Sequence, residues 1–294
     1  MDAMHELRTL LKRHGQEGAV ETVVPGLTLY AAATRTEPMA VLYEPVFCLM
    51  LDGAKQIAMD DRIFQYRGGD HLTVSVDLPV SGHVIQAPYA ALSLTLDPAV
   101  IAGLVLESGG EDVAPPTAPL TIHPTAPDLL ETVLRLVRLL DHPADIPVLA
   151  PMIRREIHWR LLQGPGGAMV RQMGVADSRL ARIGRVLNRL KDRFAEPVRV
   201  EALADVAGMS AATFHRHFKA VTGMSPLQYQ KRIRLLEART RLLAEPTDVA
   251  GVGFSVGYDS PSQFSREYAR LFGDPPGRDQ ARLRQSSAVE RAVA

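Results

Sequence analysis

A single cysteine, Cys48, stands among 294 residues. No intrachain disulfide can form, and a reducing compartment is the expectation. No run approaches the roughly 18 apolar residues a bilayer span needs. Residues 1–14 lack the apolar stretch of a secretory signal. A cytoplasmic protein, away from membranes, is therefore expected. Charge of one sign is also missing overall, because 33 Lys and Arg balance 33 Asp and Glu. Histidines are scarce where a metal would need them. His71 and His83 are the only two between residues 20 and 97, with no His-x-His pair. A metal site needs several ligands converging, so no metal and no cofactor are expected there.

What is present reads as a globular chain, with 46% apolar and 22% charged residues. The neutral total conceals a split. Residues 1–176 hold 13 basic against 20 acidic side chains, and residues 177–294 hold 20 against 13. A basic half joined to an acidic half suits a sensor or partner domain attached to a polyanion binder.

From Leu27 to Leu96, short apolar segments alternate with turn signals, among them Asp52-Gly53, Asp60-Asp61 and Gly68-Gly69-Asp70. Strands over about 20–97 should form an antiparallel sandwich or barrel. Ala99–Glu107 suits a short helix, and Ser108–Thr125 a Gly- and Pro-rich loop. Helical spacing of Leu129, Val133, Leu136 and Leu140, then a second segment near Leu149–Leu162, places two helices over about 126–163. Their wide apolar stripe suits either the core or a dimer face. Gln163–Gly167 reads as a flexible junction. The chain thus divides into a regulatory and dimerisation domain at 1–164, a linker at 165–177, and an all-helical domain at 178–294. The fold class is α+β in two domains.

The helical part carries one motif twice. In Val200–Phe218, a short helix breaks at Gly208 and Ser210 caps the next. Phe214, Phe218 and Val221 bury that second helix, leaving Ala212, Thr213, His215, Arg216 and Lys219 outward or flanking. In Asp248–Tyr268, Gly257 makes the turn, Ser260 the cap and Pro261 the first helical position. Phe264, Tyr268 and Leu271 point inward, while Ser262, Gln263, Ser265 and Arg266 lie on the other side. This is the construction of a helix-turn-helix, whose recognition helix enters the major groove of double-stranded DNA. Between the copies, Pro226–Leu243 reads as one stiff helix. Arg216 and Arg266 suit a guanine edge, a phosphate or a salt bridge within the domain, with Glu267 and Asp259 near Arg266. His217 reads as packing.

These residues resemble the DNA-binding domain of the AraC/XylS family of bacterial regulators. The matching stretches are Ala-Gly-Met-Ser at 207–210, Phe-His-Arg-His-Phe at 214–218, Thr-Gly-Met-Ser-Pro at 222–226 and 256–268, with Phe-Gly-Asp-Pro-Pro at 272–276. Residues 41–45, 65–70 and 76–80 are similar to the family's cupin-like amino-terminal domain. The resemblance implies two helix-turn-helix units joined by a central helix. It places Ala212, His215, Arg216, Ser262, Ser265 and Arg266 against bases. It also implies a receptor rather than an enzyme, acting as a transcription activator on promoter DNA, as a homodimer, with a small-molecule effector and RNA polymerase as partners. A regulator governed by its abundance or by a protein partner, with no small ligand, is the alternative. A cupin enzyme fused to a DNA-binding module would need the metal ligands that the histidine spacing does not supply. Tyr43, Cys48, Met50, Met59 and Tyr66 are candidates for a ligand pocket, against the simpler role of core residues. Cys48 is either an inert core thiol or an electrophile sensor, and the latter needs a lowered pKa and access.

Overall fold

The computed structural model describes residues 2–59, 62–108, 118–175, 178–244 and 248–285. The turn expected at Asp60-Asp61 falls outside these, as do the centre of the Gly- and Pro-rich stretch and residues 176–177 of the expected linker. The chain opens with a helix that sequence reasoning did not assign, α1 (Ala3–His14), capped by Asp2 and burying Leu7, Leu10 and Leu11. Seven strands follow: β1 (Gly18–Glu21), β2 (Leu27–Ala32), β3 (Met39–Tyr43), β4 (Val46–Met59), β5 (Arg62–Arg67), β6 (Asp70–Val74) and β7 (Leu78–Thr95). After α2 (Pro98–Glu107) comes β8 (Leu120–Pro124). That strand corrects the reading of 108–125 as loop. Its alternation is too short to register alone, and its partner β6 lies some 50 residues back in sequence. Pairing sets His123 opposite His71, so the β region contains a histidine beyond the two expected.

All pairings are antiparallel, in the order β1-β2-β7-β4-β6-β8, with β3 on β7 and β5 on β4. The long strands β4 and β7 serve two sets of neighbours, which lets one sheet curl around a core. Bulges between Met50 and Lys55 shift the register of β4 against β7 and bend the strand. Gly53 (φ +76°) sits at this bend, and a Cβ there would meet the Gln86 carbonyl at 2.4 Å. Only glycine fits. An extra residue also exchanges the inward and outward faces downstream. Strict alternation from Cys48 therefore fails beyond Met50.

Helices α3 (Pro127–Arg138) and α4 (Ile146–Gln163) fall where the periodicity placed them. The expected flexible junction behaves differently. An eight-residue helix, α5 (Gly167–Gly174), buries Met169, Val170 and Met173. Gly174 presses so closely on α2 that a Cβ would lie 2.8 Å from the Ala102 nitrogen. The glycines permit close packing here, not slack.

Seven helices complete the described chain: α6 (Arg179–Asp192), α7 (Val200–Ala207), α8 (Ala211–Thr222), α9 (Pro226–Ala244), α10 (Val249–Ser255), α11 (Pro261–Phe272) and α12 (Pro276–Gln285). One apolar cluster runs from Leu7 through the sheet and α3–α8 to Ile233 in α9. A second, smaller one joins Leu235, Ala238 and Leu242 of α9 to α10 and α11.

Candidate nucleic-acid interface and sensor cavity

Two helix-turn-helix units, α7–α8 and α10–α11, flank α9. Gly208 (φ +62°) ends α7 in the left-handed region, and Ser210 accepts a hydrogen bond from the Thr213 amide at 3.4 Å. Gly257 (φ +90°) and Ser260 do the same in the second unit, where Ser260 accepts from the Gln263 amide at 3.4 Å. These turns set the starts of α8 and α11 against the helices before them. Phe214, Phe218, Phe264 and Tyr268 are fully buried and fix their inner faces.

The opposite faces are open. Ala212, His215, Arg216 and Lys219 on α8 are exposed, with Thr213 half-buried against Ser210. On α11, Ser262, Gln263 and Arg266 are exposed and Ser265 is half-buried. An ion pair between Arg266 and its neighbour Glu267 is not made. Glu267 instead accepts from Lys231 Nζ at 2.9 Å, Tyr258 OH at 2.9 Å and Gln263 Nε2 at 3.1 Å. That carboxylate is saturated, so the Arg266 guanidinium stays available on the surface, while Gln263 is partly committed to its own helix. Arg216 makes no ion pair among the described residues. His217 is half-buried, its Nδ1 without a hydrogen-bond partner.

The spacer α9 has 19 residues, or about 28 Å at 1.5 Å per residue. That is comparable to the roughly 34 Å between successive major-groove faces. Arg234 holds the units in register. Its guanidinium donates to the carbonyls of Phe194 (2.7 Å), Gly257 (2.7 Å) and Ala195 (3.0 Å). One side chain thus ties α9 to the loop after α6 and to the second turn.

The β domain contains a cavity of about 290 Å³ whose walls include Tyr30, Tyr43, Cys48, Lys55, Tyr66 and Tyr89. Of the five residues expected to contact a ligand, Tyr43, Cys48 and Tyr66 meet here. Met50 and Met59 are buried elsewhere in the core. Tyr89 and Lys55 were not singled out. Alternation would have placed Lys55 on the face opposite Cys48, and the β4 bulges bring it to the same wall. Burial pushes the Cys48 thiol up to about 12. The thiolate that an electrophile sensor requires is therefore disfavoured.

The two halves touch. Lys191 of α6 pairs with Glu44 and lies 3.5 Å from the Asp77 carboxylate. Tyr229 of α9, fully buried, donates to the Asp77 carbonyl at 3.2 Å. Glu44 also belongs to the cavity wall. Burial raises the pKa of Asp77, partly offset by the Lys191 charge. No local pattern announces these contacts, since the partners are more than 100 residues apart.

Residues 23–169 match the family model described as the AraC-type transcriptional regulator N-terminus, and residues 203–282 match a helix-turn-helix domain. Over 96 residues, the chain is 38% identical to the HTH-type transcriptional activator RhaS of Escherichia fergusonii, covering 33% of this chain and 34% of that one. Identity to the RCS-specific HTH-type transcriptional activator RclR of Escherichia coli K12 is 36% over 104 residues, or 35% and 37% of the two chains. The match to RhaS of Salmonella paratyphi A, 30% over 151 residues, covers 50% and 53%. The chain therefore spans between a third and about half of the length of these curated relatives. Among solved structures, ToxT of Vibrio cholerae shares the two-domain fold, with a TM-score of 0.60, 9% identity, and coverage of 87% of this chain and 97% of that one.

Proposed function

This chain belongs to the AraC-type transcriptional regulators, and we propose that it is a sequence-specific activator. Its paired recognition helices α8 and α11 would read promoter DNA while the β domain senses a small molecule. The observation that carries this reading is the contrast across α8 and α11. Each is pinned by buried aromatics on one side and offers a small, uncommitted set on the other: Ala212 with the polar His215 and Arg216 in one, Ser262, Ser265 and Arg266 in the other. Recognition helices need that division. Lys219, Thr213 and Gln263 flank these sets and suit phosphate contacts.

The activator assignment draws on the matched relatives, which are named as activators, and implies contact with RNA polymerase on the nucleoid in the cytoplasm. Function as a homodimer is supported by α4, where Val148 and Met152 lie one turn apart and remain 66% and 64% exposed. An apolar pair so placed gains by meeting its copy. The reading is of a binding protein and not of an enzyme.

Footprinting of the full chain on its own upstream DNA tests the proposal. Protection of two adjacent major-groove segments on one face is expected, and protection indifferent to sequence would overturn it. Arg216→Ala should cost about 1–3 kcal/mol and relax preference at one base pair. A uniform loss across all sequences would make Arg216 a phosphate contact.

A further inference from the structure

The β-domain cavity has an unusual chemical lining. Lys55 is 4% exposed, yet its side chain reaches the cavity wall, with Nζ 5.3 Å from the centre of the Tyr43 ring. The ring face supports the ammonium by a cation–π contact. Burial lowers the Lys55 pKa to about 8, which still leaves it mainly charged at neutral pH. Burial acts in the opposite direction on the phenols of Tyr43, Tyr66 and Tyr89, raising all three. They remain neutral hydroxyl donors, and the Cys48 thiol likewise stays protonated. The acids of the lining, Glu21 and Glu44, are exposed, and Glu44 is engaged by Lys191. The interior is thus a site of one positive charge ringed by hydroxyls.

We propose that this cavity binds a small organic monocarboxylate, its carboxylate held by Lys55 Nζ and the tyrosine hydroxyls and its apolar body against Leu42, Val46 and Leu92. The inference rests on the sensing role given to the β domain above and names the ligand class. An ammonium has three donors, so Lys55 can take a carboxylate alongside the contacts it already makes. A cavity near 290 Å³ lies at the small end for ligand sites, which limits the body to a short chain or a single ring. One cation matches one negative charge. A phosphate dianion would bring a second charge with no further cation in the wall and two glutamates at the mouth.

Occupancy has a direct route to the DNA-binding half. Tyr43, which faces Lys55, and Glu44, which holds Lys191, are adjacent in sequence. A ligand that shifts Tyr43 also shifts the docking of α6.

Calorimetric titration of the full chain with butyrate, hexanoate, benzoate and phenylacetate, each beside its amide, tests this. At least one acid should bind ten-fold or more tightly than its amide, and Lys55→Met should abolish that preference. Lys55→Gln provides a second variant of similar size. In the unmodified chain labelled with 13Cε-lysine, the Lys55 resonance should move on saturation with the acid, which keeps the test decisive if both variants fail to fold. Failure of all four acids to bind, equal binding of acid and amide, or a stationary Lys55 resonance would each overturn the proposal. Footprinting on the same preparation separates the two readings. DNA protection without acid binding removes only the ligand class, and acid binding without protection removes only the DNA assignment.

Discussion

The two helix-turn-helix units share one backbone plan at a spacing of 50 residues, yet they are held together by different physics. Ser210 corresponds to Ser260, Phe214 to Phe264 and Phe218 to Tyr268. In the first unit, Phe218 meets Tyr229 edge to face at 5.6 Å, within the apolar cluster that continues into the β domain. At the position matching Tyr229, the second unit has Asp279, fully buried. It accepts from Arg239 Nε (3.0 Å), Tyr268 OH (2.9 Å) and Arg282 Nη2 (2.6 Å). Phe272 stacks on the Arg239 guanidinium, 4.6 Å from ring centre to cation. A small core cannot bury enough apolar surface to hold its helices alone, and the ionic network gives the second unit a fixed geometry in its place. The first unit borrows the core of the sensor. The core of one reader is therefore continuous with that of the sensing domain, while the other keeps a small core of its own, although α11 also lies against β3.

The largest way to break this contrast is Asp279→Ala. Removing one member of a buried, hydrogen-bonded ion pair leaves Arg239 uncompensated and costs about 3–5 kcal/mol. The loss should be local. Hydrogen exchange should accelerate in α10–α12 while α7 and α8 keep their protection, and a uniform acceleration would mean that the units unfold as one. Gly257→Ala comes next. A Cβ there meets the Ala195 carbonyl at 2.5 Å on top of a positive φ, so strain and overpacking together should cost about 3 kcal/mol. Gly208→Ala has open space, its nearest neighbour being Arg182 at 3.8 Å, and should cost only about 1–2 kcal/mol from the left-handed backbone. Thermal melts of the two variants check the ranking, and equal shifts would remove the argument from close approach.

How much of this was legible in the sequence follows from range. The repeat, its capping serines and its buried aromatics were readable, because caps and helical periodicity are local. The inward and outward faces of α8 and α11 came out as expected for the same reason. The exchange of Tyr229 for Asp279 was in plain view but uninformative without knowing that both point into a core. Lys55 was hidden by bulges that alternation cannot foresee. The strand β8 and the contacts of Asp77 with Lys191 and Tyr229 join distant segments, and nothing near either partner encodes the other. The Gly-rich stretch after Gln163 misled, since glycine signals slack and close packing equally, and only a neighbour such as the Leu162 carbonyl against Gly167 decides between them.

The smallest predicted effect bears most directly on coupling. Tyr229 belongs to α9, the spacer of the two readers, and its hydroxyl ends on the carbonyl of Asp77 in the β domain. Tyr229→Phe keeps the ring, and with it the edge-to-face contact to Phe218, and deletes only the hydroxyl. A net hydrogen bond of this kind is worth about 1 kcal/mol, so global stability should fall by about that amount. The informative readout is elsewhere. If α9 is docked through this bond, hydrogen exchange of the Asp77–Leu78 segment and of the start of α9 should rise together, while α11 and α12 stay unchanged. No rise in either segment would show that the ring, seated in the shared core, holds the spacer without help from the bond. In that case the ion pairs of Lys191 with Glu44 and Asp77 would be the polar link left between sensor and reader. Lys191→Ala in the Tyr229→Phe background would then loosen the segment that Tyr229→Phe alone had left closed.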